Sequence, residues 1–299
     1  RYAARNRLKI FLTVSHLHNF QIFKLSNYLI NSVLSALVVN KNMELKVVLV
    51  QTDLHWENPT ANLAMLEEKI AALEASVDLI VLPEMFNSGF TMNPAQVAEP
   101  MNLTTTKWMR QMAERTGAVV TGSFVVKEDT QFYNRLLWVQ PDGQIDYYDK
   151  RHLFRMAHEH EYYSVGNRLI IKELKGWRIC PLICYDLRFP VWSRNVGLQY
   201  DLLLYVANWP AARAPHWNAL LQARAIENLS YVVGVNRVGA DGKGIPYAGD
   251  STVINFNGER LFHQTNEEVT HTQLLDRESL DRYRANFPAY LDADEFGLL

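Results

Sequence analysis

From residue 43 onward, short apolar runs alternate with segments of helical periodicity. Residues 45–50 and 78–82 are almost uniformly apolar, which is typical of strands that are covered on both faces. Between these runs, Asn58 and Pro59 have the residue types of an N-cap and a first helical position, and we predict a helix from there to about Ser76. The part of the chain that follows residue 43 therefore opens with a β–α–β alternation.

The same alternation continues to about residue 263. We predict helices at 103–115, 190–197 and 214–228, and strands at 118–126, 132–139, 145–148, 177–183, 201–206, 231–235, 252–256 and 261–263. The Pro141-Asp142-Gly143 turn joins two of these strands in an antiparallel hairpin. This mixture predicts a layered α/β sandwich in a single domain over residues 43–299, with a C-terminal tail from about residue 280.

Composition adds little for most of the chain but sets its first 42 residues apart. The 48% hydrophobic fraction is typical of a soluble globular protein, and a formal charge of −2 argues against nucleic acid as a partner. Residues 1–42 hold six Lys or Arg and no acid, whereas the other 257 residues hold 24 basic and 32 acidic side chains. A targeting peptide, a signal peptide and a non-native extension all fit. We favour an extension, because the β–α pattern starts directly after Met43.

The two cysteines, Cys180 and Cys184, lie on one extended segment. At about 3.3 Å per residue they are too far apart for a disulfide. A reducing compartment is then the simpler assumption. We expect a cytoplasmic protein, or an organellar one if residues 1–42 are a transit peptide, and no membrane span, because about 20 apolar residues are needed for one.

Three of the predicted strands are followed by a side chain that can take part in chemistry: Glu84, Lys150 and Cys184. Taken singly, each has an ordinary explanation: the glutamate as a surface charge, the lysine as part of a solvated ion pair, and the cysteine as a buried thiol that only fills space. The last explanation suits Cys180. Together they form a chemical set at the carboxyl ends of strands, where α/β sheets bind ligands. A glutamate can act as base for the thiol, and the lysine with the backbone N–H of Tyr185 can hold an oxyanion.

The segments LPE at 82–84, DKRHLF at 149–154 and ICYDLRFP at 183–190 resemble the three signatures of the nitrilase, or carbon–nitrogen hydrolase, superfamily. They occur in the family's order, and the resemblance extends from about residue 45 to 256. It implies a four-layer αββα sandwich, a homodimer, and catalysis without a metal or another cofactor. It further implies Glu84 as general base, Lys150 as oxyanion stabiliser and Cys184 as the nucleophile that forms a thioester.

Members of the superfamily often carry a second glutamate on the loop after the lysine, seven residues before a glycine. Counting back from Gly166 gives Glu159, with Glu161 as the alternative. The resemblance is closest to the bacterial omega-amidases, which hydrolyse 2-oxoglutaramate or 2-oxosuccinamate. It is carried by CYDLRFP at 184–190, ANW at 207–209, HW at 216–217 and LLQARAIEN at 220–228.

In the omega-amidase subgroup, the arginine four residues after the nucleophile binds the substrate carboxylate, and here that residue is Arg188. A guanidinium pairs well with a planar carboxylate, but a structural ion pair with Asp186 or Asp201 is the alternative. Trp209 is expected either to form one wall of the pocket or to be a core aromatic.

Other functions stay open. The same machinery suits another aliphatic amide, a carbamoyl compound or a nitrile, and a non-catalytic binding protein could share the fold. His152, His158 and His160 lack a zinc-binding pattern, and the glycine-rich residues 239–244 lack the spacing of a phosphate loop, so we expect an exposed turn there. The predicted partner is a small-molecule amide, with no metal, nucleic acid or membrane.

Overall fold

The computed structural model describes residues 44–297, so the interpretation of residues 1–42 lies outside the described residues. The strands are β1 (Glu44–Gln51), β2 (Leu79–Val81), β3 (Val119–Glu128), β4 (Gln131–Val139), β5 (Ile145–Asp149), β6 (Lys172–Leu174), β7 (Trp177–Ile183), β8 (Leu202–Val206), β9 (Tyr231–Val235), β10 (Val238–Ala240), β11 (Pro246–Ile254), β12 (Arg260–Thr265) and β13 (Val269–Asp276). The α-helices are α1 (Pro59–Ala71), α2 (Pro94–Val97), α3 (Thr104–Thr116), α4 (Glu159–Tyr162), α5 (Ala214–Asn228) and α6 (Arg277–Asn286).

The strands form two sheets of similar plan. The first has the order β13-β1-β2-β3-β4-β5, and the second has the order β10-β11-β9-β8-β7-β6, with β12 also paired to β11. In each sheet three consecutive strands are parallel, β1 to β3 in one and β7 to β9 in the other. The remaining pairs are antiparallel. Parallel strands direct their carboxyl ends to one edge, where a site can form.

The side chains of β1 show how the layers stack. Val48 and Val50 pack with the helices α1 and α3, whereas Val47 and Leu49 face the second sheet. On the far side of the second sheet, Trp217 of α5 belongs to the same core as that sheet. The order is helix, sheet, sheet, helix, which confirms the αββα sandwich and the strands covered on both faces.

Several elements match the sequence pattern closely. The side chain of Asn58 accepts a hydrogen bond from Ala61 N at 3.1 Å, which confirms the predicted cap, although the helix ends at Ala71 rather than Ser76. Gly117 ends α3 in the left-handed conformation at φ 66°, a backbone that glycine adopts without strain. Within residues 44–297, no helix is long and apolar enough to cross a membrane. Both cysteines are free thiols, as predicted.

The predicted helix at residues 190–197 is wrong. The segment runs through turns, with a 3₁₀ turn at Val196–Leu198 and another before the segment at Cys184–Arg188, but it forms no α-helix. The side chain of Asn195 donates to Tyr200 O at 2.9 Å and to Asn228 O at 3.0 Å. These bonds draw the chain into a loop against α5, and such side-chain to backbone bonds compete with helical ones.

A strand absent from the predicted set closes the first sheet. β13 pairs with β1 in antiparallel register along its length, from Glu44 opposite Asp276 to Gln51 opposite Val269. Most of its residues are partly or fully exposed, so its sequence lacks the apolar run that marks the covered strands. After β13, the chain packs on the core through the buried Leu280 of α6.

Candidate active site

The structure brings the three strand-end side chains into one buried cluster. Glu84 lies just beyond β2, Lys150 directly follows β5, and Cys184 directly follows β7. The Lys150 Nζ donates to Glu84 Oε1 at 2.8 Å, and both side chains are at most 1% exposed. The first sheet therefore supplies the carboxylate and the ammonium group, and the second sheet supplies the thiol.

The two loop glutamates differ in position. Glu159 is fully buried, and its two carboxylate oxygens each accept a hydrogen bond from Lys150 Nζ at 3.0 Å. The backbone N–H of Phe154 donates to the same carboxylate. Glu161 instead points outward, with a side chain 55% exposed and bonded to His158. Glu159 is the second glutamate at the site.

The carboxylate of Glu84 is held by three donors. Its Oε1 accepts from Lys150 and, at 2.8 Å, from Asn134 Nδ2, and its Oε2 accepts from the Asn208 backbone N–H at 2.8 Å. Each carboxylate oxygen can accept about two hydrogen bonds. Oε1 is therefore saturated, and Oε2 can accept one further hydrogen bond.

Asn134 is the site residue that the motifs miss. It lies in β4, among side chains that are otherwise mostly apolar or aromatic, and it is fully buried. A buried asparagine amid an apolar run is the one signal that points to it, because buried polar groups are normally hydrogen-bonded.

The surroundings of Cys184 favour the neutral thiol. Burial raises its pKa well above the ordinary value, and the charge of Glu84 raises it further, while Lys150 lowers it. The thiol therefore needs a base to become a thiolate. The backbone of Cys184 is also left-handed, with φ 42°, a conformation that costs a residue with a side chain about 1–3 kcal/mol. Cys180, in contrast, is a core side chain, as expected.

Charge holds the lysine and the glutamates together. Burial alone would lower the pKa of Lys150, but the carboxylates of Glu159 and then Glu84 outweigh it, and the pKa rises above its ordinary value. Burial raises the pKa of Glu159, Lys150 lowers it and Glu84 raises it again, which leaves it above the ordinary range. One cation thus stands between two carboxylates, and all three side chains are at most 1% exposed.

Cys184 and Lys150 open into a pocket of about 650 Å³, including its mouth. Its walls are mainly aromatic and apolar, and four of the wall residues besides Lys150 are charged. The wall residues other than Cys184 and Lys150 are Phe90, Met92, Phe154, Ala157, Tyr185, Arg188, Asn208, Trp209, Pro210, Arg213, Asp241, Lys243, Ile245 and Tyr247. Trp209 fits both expectations, because it lines this pocket and also packs on Trp217 with ring centroids 5.4 Å apart.

Arg188 lies in the pocket and not in an ion pair. Its guanidinium lies 5.0 Å from the ring centre of Trp209, and Nη2 is 2.9 Å from His216 Nδ1. The alternative of an ion pair with Asp186 or Asp201 is wrong. Asp201 is held by three other arginines, and Asp186 contacts Tyr148 and His152. Among residues 44–297, no carboxylate lies within salt-bridge distance of Arg188.

The remaining candidates have local roles. His152 contacts Asp186 and His158 contacts Glu161, and the described part of the chain holds no group of three or more side chains arranged to bind a metal. The turn at residues 239–244 is largely exposed, as expected, but it also borders the pocket through Asp241 and Lys243.

Known proteins resemble this chain over most of its length. The sequence profile described as carbon–nitrogen hydrolase matches residues 46–285. The chain is 49% identical over 255 residues to the omega-amidase YafV of Escherichia coli strain K12, covering 85% of this chain and 98% of that protein. It is 32% identical over 254 residues to a 2-oxoglutaramate amidase of Bacillus subtilis strain 168, covering 84% of this chain and 98% of that protein. The CN-hydrolase superfamily protein XC1258 of Xanthomonas campestris, whose crystal structure has an arsenic adduct in its active site, has a TM-score of 0.85 at 45% identity, covering 86% of this chain and all of that one.

Proposed function

The chain belongs to the carbon–nitrogen hydrolase family, whose members hydrolyse carbon–nitrogen bonds other than peptide bonds, and we propose that its substrate is the ω-amide of a short 2-oxo dicarboxylic acid, such as 2-oxoglutaramate or 2-oxosuccinamate. The reaction would yield the 2-oxo diacid and ammonia. The names of the relatives support this substrate, since they include an omega-amidase and a 2-oxoglutaramate amidase.

The observation that carries the proposal is the charge of the pocket. Arg188, Arg213 and Lys243 line it, and among the described residues no carboxylate lies within salt-bridge distance of any of the three. Asp241, the acid in the wall, is engaged by the Tyr247 hydroxyl at 3.1 Å and by two backbone N–H groups. A pocket with spare guanidinium groups suits a substrate that carries a carboxylate.

We propose that the first half-reaction forms a thioester on Cys184. Glu84 takes the thiol proton through Oε2 while the sulfur attacks the amide carbon. Lys150 and the Tyr185 backbone N–H stabilise the oxyanion. The proton moves from one member of the buried cluster to another, so the net charge of the cluster does not change, and no extra charge has to be buried. Protonated Glu84 then gives its proton to the amide nitrogen, and the oxyanion collapses to the thioester as the carbon–nitrogen bond breaks and ammonia leaves.

The second half-reaction hydrolyses the thioester. Glu84 takes a proton from a water molecule as the hydroxide attacks the thioester carbon, and it returns that proton to the departing sulfur. Lys150 and the Tyr185 N–H hold the oxyanion a second time. Glu159 fixes the position of Lys150 through two hydrogen bonds, so that the ammonium group stays in place when Glu84 gains or loses its proton.

Replacement of Glu159 by glutamine tests its role. We expect Glu159→Gln to lower kcat by about 10- to 100-fold, because Lys150 loses a charged partner and one acceptor of its two bonds. Glu161→Gln is the matched control, two residues away and exposed, and it should leave kcat unchanged. An equal loss in both variants would mean that the charge of the loop, and not the contact with Lys150, matters.

The substrate proposal is tested by ammonia release from a panel of amides, with Arg188→Met beside the wild-type protein. The wild type should prefer 2-oxoglutaramate to a neutral aliphatic amide, a carbamoyl compound and a nitrile. Arg188→Met should raise KM for 2-oxoglutaramate by about 10- to 100-fold, the value of a charged hydrogen bond, and leave the neutral amide unaffected. Arg168→Met, which removes an exposed arginine from a surface ion pair, is the control.

Two outcomes would contradict the proposal. If the wild type prefers the neutral amide or the nitrile, the enzyme is another hydrolase of the same family. If no substrate of the panel is turned over and no acyl adduct on Cys184 is found by intact-mass analysis, a non-catalytic binding protein becomes the better explanation. A homodimer and a cytoplasmic location stay predictions, and sedimentation analysis of the full chain would test the first.

A further inference from the structure

Asp186, two residues after the cysteine, is a buried carboxylate to which the mechanism above gives no role. Its side chain is fully buried. Its Oδ1 lies 3.0 Å from the donating backbone N–H of His152 and 2.8 Å from His152 Nδ1. Its Oδ2 accepts from the Tyr148 hydroxyl at 2.7 Å and from the Ile183 N–H at 3.1 Å. Both oxygens are fully occupied by contacts of ordinary hydrogen-bond length.

The partners of Asp186 come from the two segments that carry the cation and the nucleophile. Tyr148 and His152 stand two residues before and two residues after Lys150, and Ile183 stands directly before Cys184. One carboxylate therefore ties the end of β5, in the first sheet, to the end of β7, in the second. A shift of either segment would change the distance between Lys150 and the sulfur.

Aromatic packing supports this carboxylate. The ring of His152 stacks on Phe189 with centroids 3.7 Å apart and planes 9° from parallel. Trp192 Nε1 donates to the Tyr148 hydroxyl at 3.0 Å, which directs the hydroxyl proton to Asp186. Neither Asp186 nor His152 lines the substrate pocket.

The bond to Ile183 bears directly on the nucleophile. Cys184 has a left-handed backbone, a strained conformation that persists only where the surroundings hold it. Asp186 lies within the 3₁₀ turn Cys184–Arg188, and its side chain accepts a hydrogen bond from the Ile183 N–H, just before that turn. The bond therefore links the residue before Cys184 to a residue after it and restrains the backbone of Cys184 between them. Without this bond the turn can relax toward an ordinary conformation and carry the sulfur away from Glu84.

We propose that Asp186 is a positioning residue that sets the geometry between Lys150 and Cys184 and holds the cysteine in its left-handed conformation. The proposal rests on the proposed roles of those two residues. It predicts that loss of the Asp186 charge impairs the chemical step more than substrate binding, because the partners of Asp186 lie next to Lys150 and Cys184, whereas Arg188 stands at the far end of the turn.

Asp186→Asn tests the proposal against Asp250→Asn. Asp250 is a close match: it is buried, it accepts from a histidine ring (His263, 3.0 Å) and a hydroxyl (Thr265, 2.8 Å), its backbone is left-handed, and it does not line the pocket. Asp186→Asn should lower kcat by about 10- to 100-fold and raise KM by a smaller factor, because small misplacements of reacting groups have effects of this size on the chemical step. Asp250→Asn should lower the melting temperature and leave kcat unchanged.

A second measurement does not depend on the substrate. Iodoacetamide alkylation of Cys184, followed by peptide mass analysis, should slow in parallel with kcat in Asp186→Asn and remain at the wild-type rate in Asp250→Asn. This readout stays informative if the wild type proves not to hydrolyse 2-oxo acid amides. If Asp186→Asn does not fold, Tyr148→Phe removes one of the four contacts and should lower kcat by about 3- to 10-fold. Wild-type kcat and alkylation in Asp186→Asn, or equal kcat losses in the Asp186 and Asp250 variants, would overturn the proposal.

Discussion

Cys184→Ala is expected to abolish turnover, with kcat reduced by roughly 10⁴- to 10⁶-fold, the range found when a nucleophile is removed from a catalytic set. Among the described residues of the buried cluster, Cys184 carries the one thiol, and Lys150 is engaged by two carboxylates. The fold should persist, because alanine removes a single sulfur atom, and relief of the left-handed strain is not expected from alanine.

The control for this experiment is Cys180→Ala, four residues away on the same segment. Cys180 is wholly buried in the core, and its loss should lower stability by about 1 kcal/mol and leave kcat unchanged. Intact-mass analysis should find an acyl adduct in the wild type and in Cys180→Ala, and none in Cys184→Ala. Substantial turnover by Cys184→Ala would show that the thiol is not the nucleophile.

Much of this site is readable from the sequence because its main groups follow predicted strands. Apolar runs mark β2 and β7, and the turn at Pro141-Asp142-Gly143 marks the hairpin that contains β5, so the residues that follow these strands are placed at the sheet edge. This is why Glu84, Lys150 and Cys184 could be grouped from the sequence. The start of α1 could be predicted from a separate local signal, the residue types of Asn58 and Pro59.

The residues that hold those groups are harder to predict, because their contacts join distant parts of the chain. Asn134 contacts a residue 50 positions away, and the Asn208 N–H contacts one 124 positions away. Neither contact leaves a local pattern. β13 is hidden for a related reason: it is an edge strand with little apolar periodicity, and only its pairing with β1, more than 200 residues earlier in the chain, defines it. The helix expected at 190–197 fails because long-range bonds of Asn195 override its local propensity.

The buried cluster has a consequence for stability as well as for catalysis. Lys150 stands between Glu84 and Glu159, and all three side chains are at most 1% exposed. Such a cluster adds little stability over an apolar core, but removing its cation leaves two like charges buried together. Catalysis and stability should therefore both depend on Lys150. The direction of the pH dependence of stability follows from the direction of the pKa shifts.

Lys150→Met is expected to lower kcat by about 10²- to 10³-fold or more, since the loss of one oxyanion donor alone has that effect. It should also lower the free energy of unfolding by about 3–5 kcal/mol at neutral pH, because Glu84 and Glu159 lose their counter-charge. Burial already raises the pKa of Glu159. Without Lys150, which lowers it, that pKa rises further, so the folded variant binds a proton more tightly than the unfolded chain.

The sign of the pH dependence follows. A carboxyl group with a raised pKa in the folded state contributes stability that is complete below its unfolded pKa, about 4.3, and is lost as the pH rises through the folded value. The stability deficit of Lys150→Met should therefore be smaller at pH 5 than at pH 8, measured by urea denaturation beside the wild type. Lys175→Met removes an exposed lysine paired with Asp78 and should change stability by less than about 1 kcal/mol at either pH. A deficit of equal size at both pH values would show that the two carboxylates are not coupled through Lys150.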